Sequence, residues 1–133
     1  MKFRFPTEAE WEFAAKGGNE SQGFYYSGSD NIDDVAWYSA EGKKTRDVKT
    51  KLPNELGIYD MCGNVMEWCG DLFGDYNSNH QTDPTGPASG TDYIVRGGCC
   101  LSNATYCRMT VRSFFNAGGA SYGIGFRLAL QAE

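Results

Sequence analysis

Only one segment of the sequence carries the signals of a complete helix. Thr7 and Glu10 stand three residues apart and form a T-x-x-E capping box at its start. Trp11 and the alanines three and four residues after it give one apolar face. Gly17 follows and suits a left-handed cap at the helix end. The pattern predicts a helix over residues 7–16 and leaves the rest of the chain to strands and loops.

The rest of the sequence predicts short strands between long loops. Glycine occupies 17 of the 133 positions and aromatic residues make up 14%, a combination that favours a turn-rich fold packed around rings. Apolar stretches at 63–69, 93–96, 107–112 and 124–130 have the length of strands. Residues 70–92 are rich in turn residues and predict a long loop. We therefore expect an α+β fold with short antiparallel strands and one clear N-terminal helix.

The net charge argues against nucleic acid as a partner, and the lengths of the apolar runs argue against membrane insertion. The net charge is −5, and the densest basic stretch, Lys43 to Lys51, is interrupted by Asp47. Nucleic-acid binding needs a basic face, so we expect none here. Membrane insertion is not expected either, because no apolar run approaches the roughly 18–20 residues that span a bilayer. The N-terminal residues lack the apolar core of a signal peptide.

The cysteines favour a reducing compartment and argue against zinc. Their number is odd and no export signal accompanies them, so we expect reduced thiols and cytoplasmic synthesis. Display on a cell or a virion would need machinery outside the chain. No C-x-x-C pair occurs, and His80 is the sole histidine, so a structural zinc site is not expected. The five cysteines are Cys62, Cys69, Cys99, Cys100 and Cys107.

Four sequence blocks occur in an order and spacing that resemble a known family. They read FPTEAEWEFAAKGG at 5–18, PNELGIYDMCGNVMEW at 53–68, VRGG at 95–98 and GFRL at 125–128. Together they resemble the formylglycine-generating-enzyme (sulfatase-modifying factor) domain across nearly the whole chain. The resemblance implies a C-type lectin-like fold with little regular secondary structure, here as a single domain over residues 1–133.

Members of that family normally carry a substantial segment before the first block, and here the chain begins at the block. Part of the usual core is then expected to be absent, which favours a homo-oligomer that covers the exposed surface. Within the blocks, Trp11 and Trp68 are expected as core rings. Arg96 and Arg127 lie beside glycines and are expected to brace loops through forked hydrogen bonds to carbonyl groups.

The resemblance also implies a calcium site near the second block. The matching positions are Asp60, Gly63, Val65 and Glu67. Two carboxylates around a tight turn could supply the hard oxygen ligands that calcium prefers. The alternative, a capped turn without metal, is the reading that we favour. We expect no cofactor to be required, and a calcium ion would serve only to hold loops.

The enzymes of this family bind copper through two cysteines that follow the R-G-G motif. The matching positions here, six and eleven residues beyond the arginine, are Ser102 and Cys107. A soft copper(I) site built from two thiolates cannot form from one thiolate and one hydroxyl. We therefore expect no enzymatic activity. The alternative is an oxidase with a rearranged pair that uses Cys99 or Cys100.

The segment 99–123 has an unusual composition, because lysine, glutamate, glutamine and tryptophan are absent from all 25 positions. In this it resembles the variable proteins of diversity-generating retroelements, which use the same lectin-like fold. Their variable region is mutagenised at adenines in asparagine-type codons, which cannot produce those four residues. The resemblance implies that the segment is a diversified binding surface.

We therefore expect a non-enzymatic module that binds a protein or another surface ligand. The alternatives are the copper oxidase and an accessory or structural domain of the same family. Aromatic residues among serine, glycine and asparagine are typical of antibody-like binding surfaces. Phe114, Phe115 and Tyr122 could instead belong to the core. The residues expected to face solvent are Cys100, Leu101, Ser102, Asn103, Tyr106, Ser113, Phe114, Phe115, Asn116, Gly119, Ser121 and Tyr122.

Overall fold

The computed structural model describes residues 1–76 and 78–132, and its first helix confirms the local sequence signals. Helix α1 spans Glu8–Ala15. The Thr7 hydroxyl accepts the Glu10 N–H at 3.1 Å, and the Glu10 carboxylate accepts the Thr7 N–H at 3.0 Å, which completes the capping box. Gly17 has a φ of 92° and ends the helix in the left-handed region.

The other helical elements are short. Helix α2 spans Ile32–Val35. Single 3-10 turns cover Gly18–Glu20, Ser39–Glu41 and Ala104–Cys107. Among the residues described, no helix has the length and apolar character that crossing a membrane requires.

The described residues form six short strands in two sheets. The strands are β1 (Lys2–Arg4), β2 (Met66–Leu72), β3 (Asp92–Arg96), β4 (Arg112–Asn116), β5 (Ile124–Gly125) and β6 (Ala129–Gln131). The larger sheet has the order β4-β3-β2-β5, in which β5 runs parallel to β2 and the other pairs are antiparallel. Strands β1 and β6 form a separate antiparallel pair. The α+β fold with short, mainly antiparallel strands agrees with the prediction.

Three strand predictions were wrong in their bounds. The stretch 63–69 becomes a strand only at Met66, and β2 continues to Leu72. The stretch 107–112 is not a strand, because Cys107 ends a 3-10 turn and β4 begins only at Arg112. The stretch 124–130 divides into β5 and β6, which lie in different sheets. Between them Arg127 turns inward and donates two hydrogen bonds to Glu67, so the chain leaves one sheet before it joins the other.

The core lies between α1 and one face of the larger sheet. Trp11 and Ala15 of the helix pack there with Cys69 and Ile94 of the sheet. Trp68 differs from the expectation: it is only half-buried on the opposite face, where its ring meets Phe115 edge-on with centroids 6.2 Å apart. All five cysteines are buried free thiols. They therefore behave as small apolar core residues.

The two arginines brace the fold, but each donates to one carbonyl group and to a glutamate carboxylate rather than to carbonyl groups alone. Arg96 is fully buried and donates to the Val111 carbonyl at 2.9 Å. It also forms an ion pair with Glu12 and lies over the Trp11 ring. Arg127 donates to the Tyr59 carbonyl at 2.8 Å. These contacts tie the ends of the sheet strands to the helix and to the loop before β2.

Candidate functional site

A turn of two glycines positions the segment that follows β3. Gly97 and Gly98 both have positive φ, 100° and 68°. A Cβ atom on Gly98 would lie 2.8 Å from the Tyr106 carbonyl oxygen and 2.9 Å from the Cys107 sulfur. The turn that contains Cys107 therefore packs directly on a backbone that only glycine allows. This contact fixes the position of the turn at Cys107 relative to the end of β3.

Hydrogen bonds from distant parts of the chain hold the same segment. The Ser39 N–H donates to the Ser102 carbonyl at 2.9 Å, and the Cys100 N–H donates to the Asn64 carbonyl at 2.9 Å. The Asn103 side chain caps the 3-10 turn by accepting the Tyr106 N–H at 3.2 Å. Since its backbone is bonded in this way, the segment presents its side chains from fixed positions.

Five of the twelve residues expected at a binding surface line one open depression of about 580 Å³. Leu101 and Tyr106 are its large side chains, with 54% and 58% of their surface exposed. Lys43 and Met66 line it as well, from the loop after α2 and from the start of β2. The five expected residues are Leu101, Ser102, Asn103, Tyr106 and Ser113.

Strand β4 presents its two phenylalanines on opposite faces. Phe114 is 53% exposed, and its ring lies against Phe73 with centroids 4.4 Å apart. Phe115 is half-buried against Trp68. A Cβ on Gly119 would lie 2.3 Å from the Phe115 ring, so that ring rests on the glycine backbone. Phe114 is therefore available to a ligand, whereas Phe115 serves mainly in packing. Asn116, at the end of the strand, is exposed.

The end of the segment reaches the charged loop of residues 39–51. Tyr122 is 60% exposed, and its hydroxyl accepts the Thr45 N–H at 2.9 Å. Ser121 beside it is exposed as well. This contact joins the loop to the C-terminal segment, so Lys43 and Tyr122 belong to one continuous surface.

Cys100 was expected at the binding surface, but it is buried. Its side chain has no exposed surface, so it cannot contact a ligand. Burial, followed by the neighbouring Cys99, raises the pKa of the Cys100 thiol. The residue is part of the framework, because the hydrogen bond from its N–H to Asn64 turns its side chain inward.

The two positions that match the copper ligands carry no pair of thiolates. The Ser102 hydroxyl accepts the Cys99 N–H at 3.0 Å and lies 3.5 Å from the Cys99 sulfur. Cys107 is fully buried, and burial is the main cause that raises the pKa of its thiol to about 12. A thiol with that pKa stays protonated at neutral pH, whereas nucleophilic attack needs the thiolate.

Two of the four residues that match the calcium ligands, Asp60 and Glu67, have hydrogen-bond partners within the protein. Both oxygens of the buried Glu67 carboxylate accept hydrogen bonds from Arg127 at 2.7 Å, and one also accepts the Trp11 N–H at 2.8 Å. Asp60 accepts the Lys49 N–H at 2.9 Å. The Gly63 N–H donates to the Gly97 carbonyl. The Arg127 guanidinium thus supplies positive charge beside the Glu67 carboxylate, and the calcium site at Asp60, Gly63, Val65 and Glu67 stays a prediction.

A second, larger groove of about 1150 Å³ was not expected from the sequence. Phe5, Phe13, Trp68 and Tyr93 provide its apolar walls, and Gly119 lies at its border. The alternation along β2 is the signal that could have indicated it, because a buried Glu67 places Met66 and Trp68 together on the outer face. Lys43 and Met66 of the smaller depression were also missed, since contacts between distant segments bring them there.

Comparison with known proteins gives the family context. A family model described as sulfatase-modifying factor enzyme 1-like domain matches residues 1–132. The chaperone protein LppX of Paenibacillus barcinonensis is 38% identical over 95% of this chain and 48% of its own length. The formylglycine-generating enzyme of Streptomyces coelicolor is 34% identical over 98% of this chain and 47% of its own.

Among solved structures, variable protein 1 of Treponema denticola superposes with a TM-score of 0.86 and 42% identity. The match covers 95% of this chain and 46% of that one. The chain thus spans about half the length of each of these three proteins. The three proteins are named for different roles, so the fold they share does not decide what this chain does.

Proposed function

This chain belongs to the sulfatase-modifying factor enzyme 1-like family, and on that premise we propose that it is a non-enzymatic binding module. Its binding surface is the outward face of residues 99–123, here called the variable face. The face comprises the residues that were expected at the surface, except the buried Cys100 and the packed pair Phe115 and Gly119: Leu101, Ser102, Asn103, Tyr106, Ser113, Phe114, Asn116, Ser121 and Tyr122.

The observation that carries this proposal is the exposure of large side chains on a fixed backbone. Leu101, Tyr106, Phe114 and Tyr122 each keep more than half of their surface in solvent. Leu101 and Tyr106 lie together in the depression, and exposed apolar side chains grouped in this way mark an interaction site. Serine and asparagine between aromatic anchors supply adaptable hydrogen bonds, as in antibody paratopes.

The comparisons support the same reading. The resemblance to the variable proteins of diversity-generating retroelements, suggested by the restricted composition of residues 99–123, is confirmed by the likeness to the Treponema denticola variable protein. A diversified binding surface needs framework residues that stay buried and outward residues that are free to change. The burial of Cys107 and Arg96 beside the exposed Leu101 and Tyr106 agrees with that division.

The second candidate function is oxidation of a substrate cysteine, as in the formylglycine-generating relatives. One observation favours it: the Cys99 sulfur lies 3.5 Å from the Ser102 hydroxyl, beside the position of the missing thiol. Burial, then Cys62 and then Cys99 raise the pKa of the Cys107 thiol. Against it stands the burial of both thiols, which keeps them from a substrate peptide.

The test compares binding and catalysis in one preparation of the chain. Peptides selected from a random display library against the wild type are measured against Leu101→Ser and Tyr106→Ala. Leu52→Ser is the matched control, because Leu52 is exposed to a similar extent outside the variable face. We expect both variable-face substitutions to weaken binding and the control to leave it unchanged.

Catalysis is followed by mass spectrometry of a cysteine-containing peptide incubated with the copper(I)-treated chain and oxygen. We expect the peptide to stay unmodified. Conversion of its cysteine to an aldehyde, lost in Cys107→Ala, would establish the oxidase and overturn the non-enzymatic reading.

A further inference from the structure

The variable face carries no acidic residue, in contrast to the acidic protein as a whole. The chain has a net charge of −5, yet residues 99–123 contain no aspartate or glutamate. Their two charged residues are Arg108 and Arg112. Arg112 is committed to the buried Glu8 at 2.9 Å, and Arg108 lies over the Tyr25 ring at 4.2 Å. The segment therefore brings no negative charge to a ligand.

The depression in this face is lined by one cation and no acid. Its described lining residues are polar or apolar except for Lys43. Lys43 is exposed and has a φ of 54°, in the left-handed region. Two other lysines have acidic partners: Lys16 pairs with Glu12, and Lys51 pairs with Glu41 at 3.4 Å. In the described part of the chain Lys43 has no such partner, so its charge is available.

The loop that carries Lys43 is fixed to the variable face at two points. Ser39 donates its N–H to the Ser102 carbonyl, and Thr45 donates its N–H to the Tyr122 hydroxyl. Between these two points the acidic residue is Glu41, which forms an ion pair with Lys51. Lys43 is therefore held between two anchoring contacts, beside Leu101 and Tyr106.

We propose that this depression receives an acidic peptide segment of a partner protein, with a carboxylate of that segment bound by Lys43. This rests on the proposed function and names the class of partner. An apolar side chain next to the carboxylate would pack against Leu101, Tyr106 and Met66. Asn103 and the hydroxyls of Ser102 and Ser113 offer hydrogen bonds to the peptide backbone. The shallow, open shape suits a segment of protein better than a small molecule, which is usually enclosed.

The charge of the partner peptide depends on whether the net charge of the protein or the local charge at Lys43 dominates. A net charge of −5 by itself would attract basic peptides and repel acidic ones. An acidic preference would therefore have to come from the local charge at Lys43. Rim charges of this kind act on association rates and specificity, and salt screens them.

The experiment selects peptides from a random display library on the immobilised full chain and compares their Asp and Glu content with that of the unselected library. We expect the selected peptides to be enriched in acids next to an apolar residue, and their binding to weaken with salt. Lys43→Glu should weaken binding at least about tenfold. Lys2→Glu, an equal charge change at an exposed lysine of β1, should leave it unchanged.

The possible results distinguish a failure of the acidic preference from a failure of the proposed function. Selected peptides without an acidic excess, or rich in lysine and arginine, would overturn the inference, as would equal effects of Lys43→Glu and Lys2→Glu. If such peptides still lose binding in Leu101→Ser, the proposed function stands without the acidic preference. Peptides that bind equally well to Leu101→Ser and Tyr106→Ala would contradict the proposed function itself. A library that yields no binder would count against both.

Discussion

The guanidinium of Arg127 donates two hydrogen bonds of 2.7 Å to the carboxylate of Glu67. The two residues stand 60 positions apart, and their pairing joins β2 to the turn between β5 and β6. Hydrogen bonds to Tyr59 and Trp11 complete the arrangement. A parallel forked pair of this kind is among the stronger polar contacts in proteins.

Loss of Arg127 should therefore destabilise the fold. Arg127→Met leaves the carboxylate of Glu67 buried without its cation, a change that costs about 3–5 kcal/mol at buried pairs. Because the Arg127 side chain is 30% exposed, we expect about 2–4 kcal/mol. Urea denaturation measures the change, with Lys2→Met as the control for loss of an exposed cation. A loss smaller than that of the control would show that the pair is not structural.

Calcium should leave the stability unchanged, because Arg127 already compensates Glu67. A bound ion would stabilise the native state by about 2.7 kcal/mol at a hundredfold excess over its Kd. We expect the same Tm in calcium and in a chelator. A Tm that rises with calcium concentration, and does so less in Asp60→Asn, would instead support the calcium site implied by the family resemblance.

The turn at Gly98 should tolerate no side chain. Gly98 and Gly23 have similar positive φ values, 68° and 73°, but only at Gly98 would a Cβ meet the backbone, 2.8 Å from the Tyr106 oxygen. Gly23→Ala should cost about 1 kcal/mol for its left-handed backbone. Gly98→Ala should cost about 3 kcal/mol, because it adds this overlap. Equal costs in urea denaturation would mean that the segment after Gly98 shifts freely.

Alkaline conditions should destabilise the protein through its buried thiols. Burial raises the pKa of Cys62 and of Cys107 from 9.0 to about 12. Between those values the unfolded chain releases thiol protons that the native chain keeps, so the free energy of unfolding falls as pH rises. Below pH 9 this contribution is fully present. The double variant Cys62→Ala, Cys107→Ala should show a shallower fall over the same range; an unchanged slope would refute the assignment.

The sequence could predict those parts of the fold that depend on neighbouring residues. Helix α1 was found because its cap, apolar face and terminal glycine all lie within one stretch. The strand at 124–130 was predicted as continuous because its break depends on Arg127 reaching Glu67, a contact that no local pattern contains. Local signals are sufficient only where the fold adds no distant partner.

The same limit applies to the candidate site. The expectation that Leu101 and Tyr106 are exposed came from the resemblance to retroelement variable proteins, which the composition of residues 99–123 suggested. The burial of Cys100 depends on the Asn64 carbonyl, and the place of Lys43 depends on the contact between Ser39 and Ser102. Both contacts join segments that are far apart in the chain. The groove beside Phe5 and Phe13 likewise arises only when β1 and α1 meet the outer face of β2.

The central claim is that the variable face binds the ligand. It is tested most directly by mapping a selected peptide onto the isotope-labelled chain with amide chemical shifts. We expect the shifts that change on titration to lie at Leu101, Tyr106 and Tyr122, with Leu52 unaffected. Changes confined to the groove at Phe5, Phe13 and Trp68, with the variable face unperturbed, would contradict the claim.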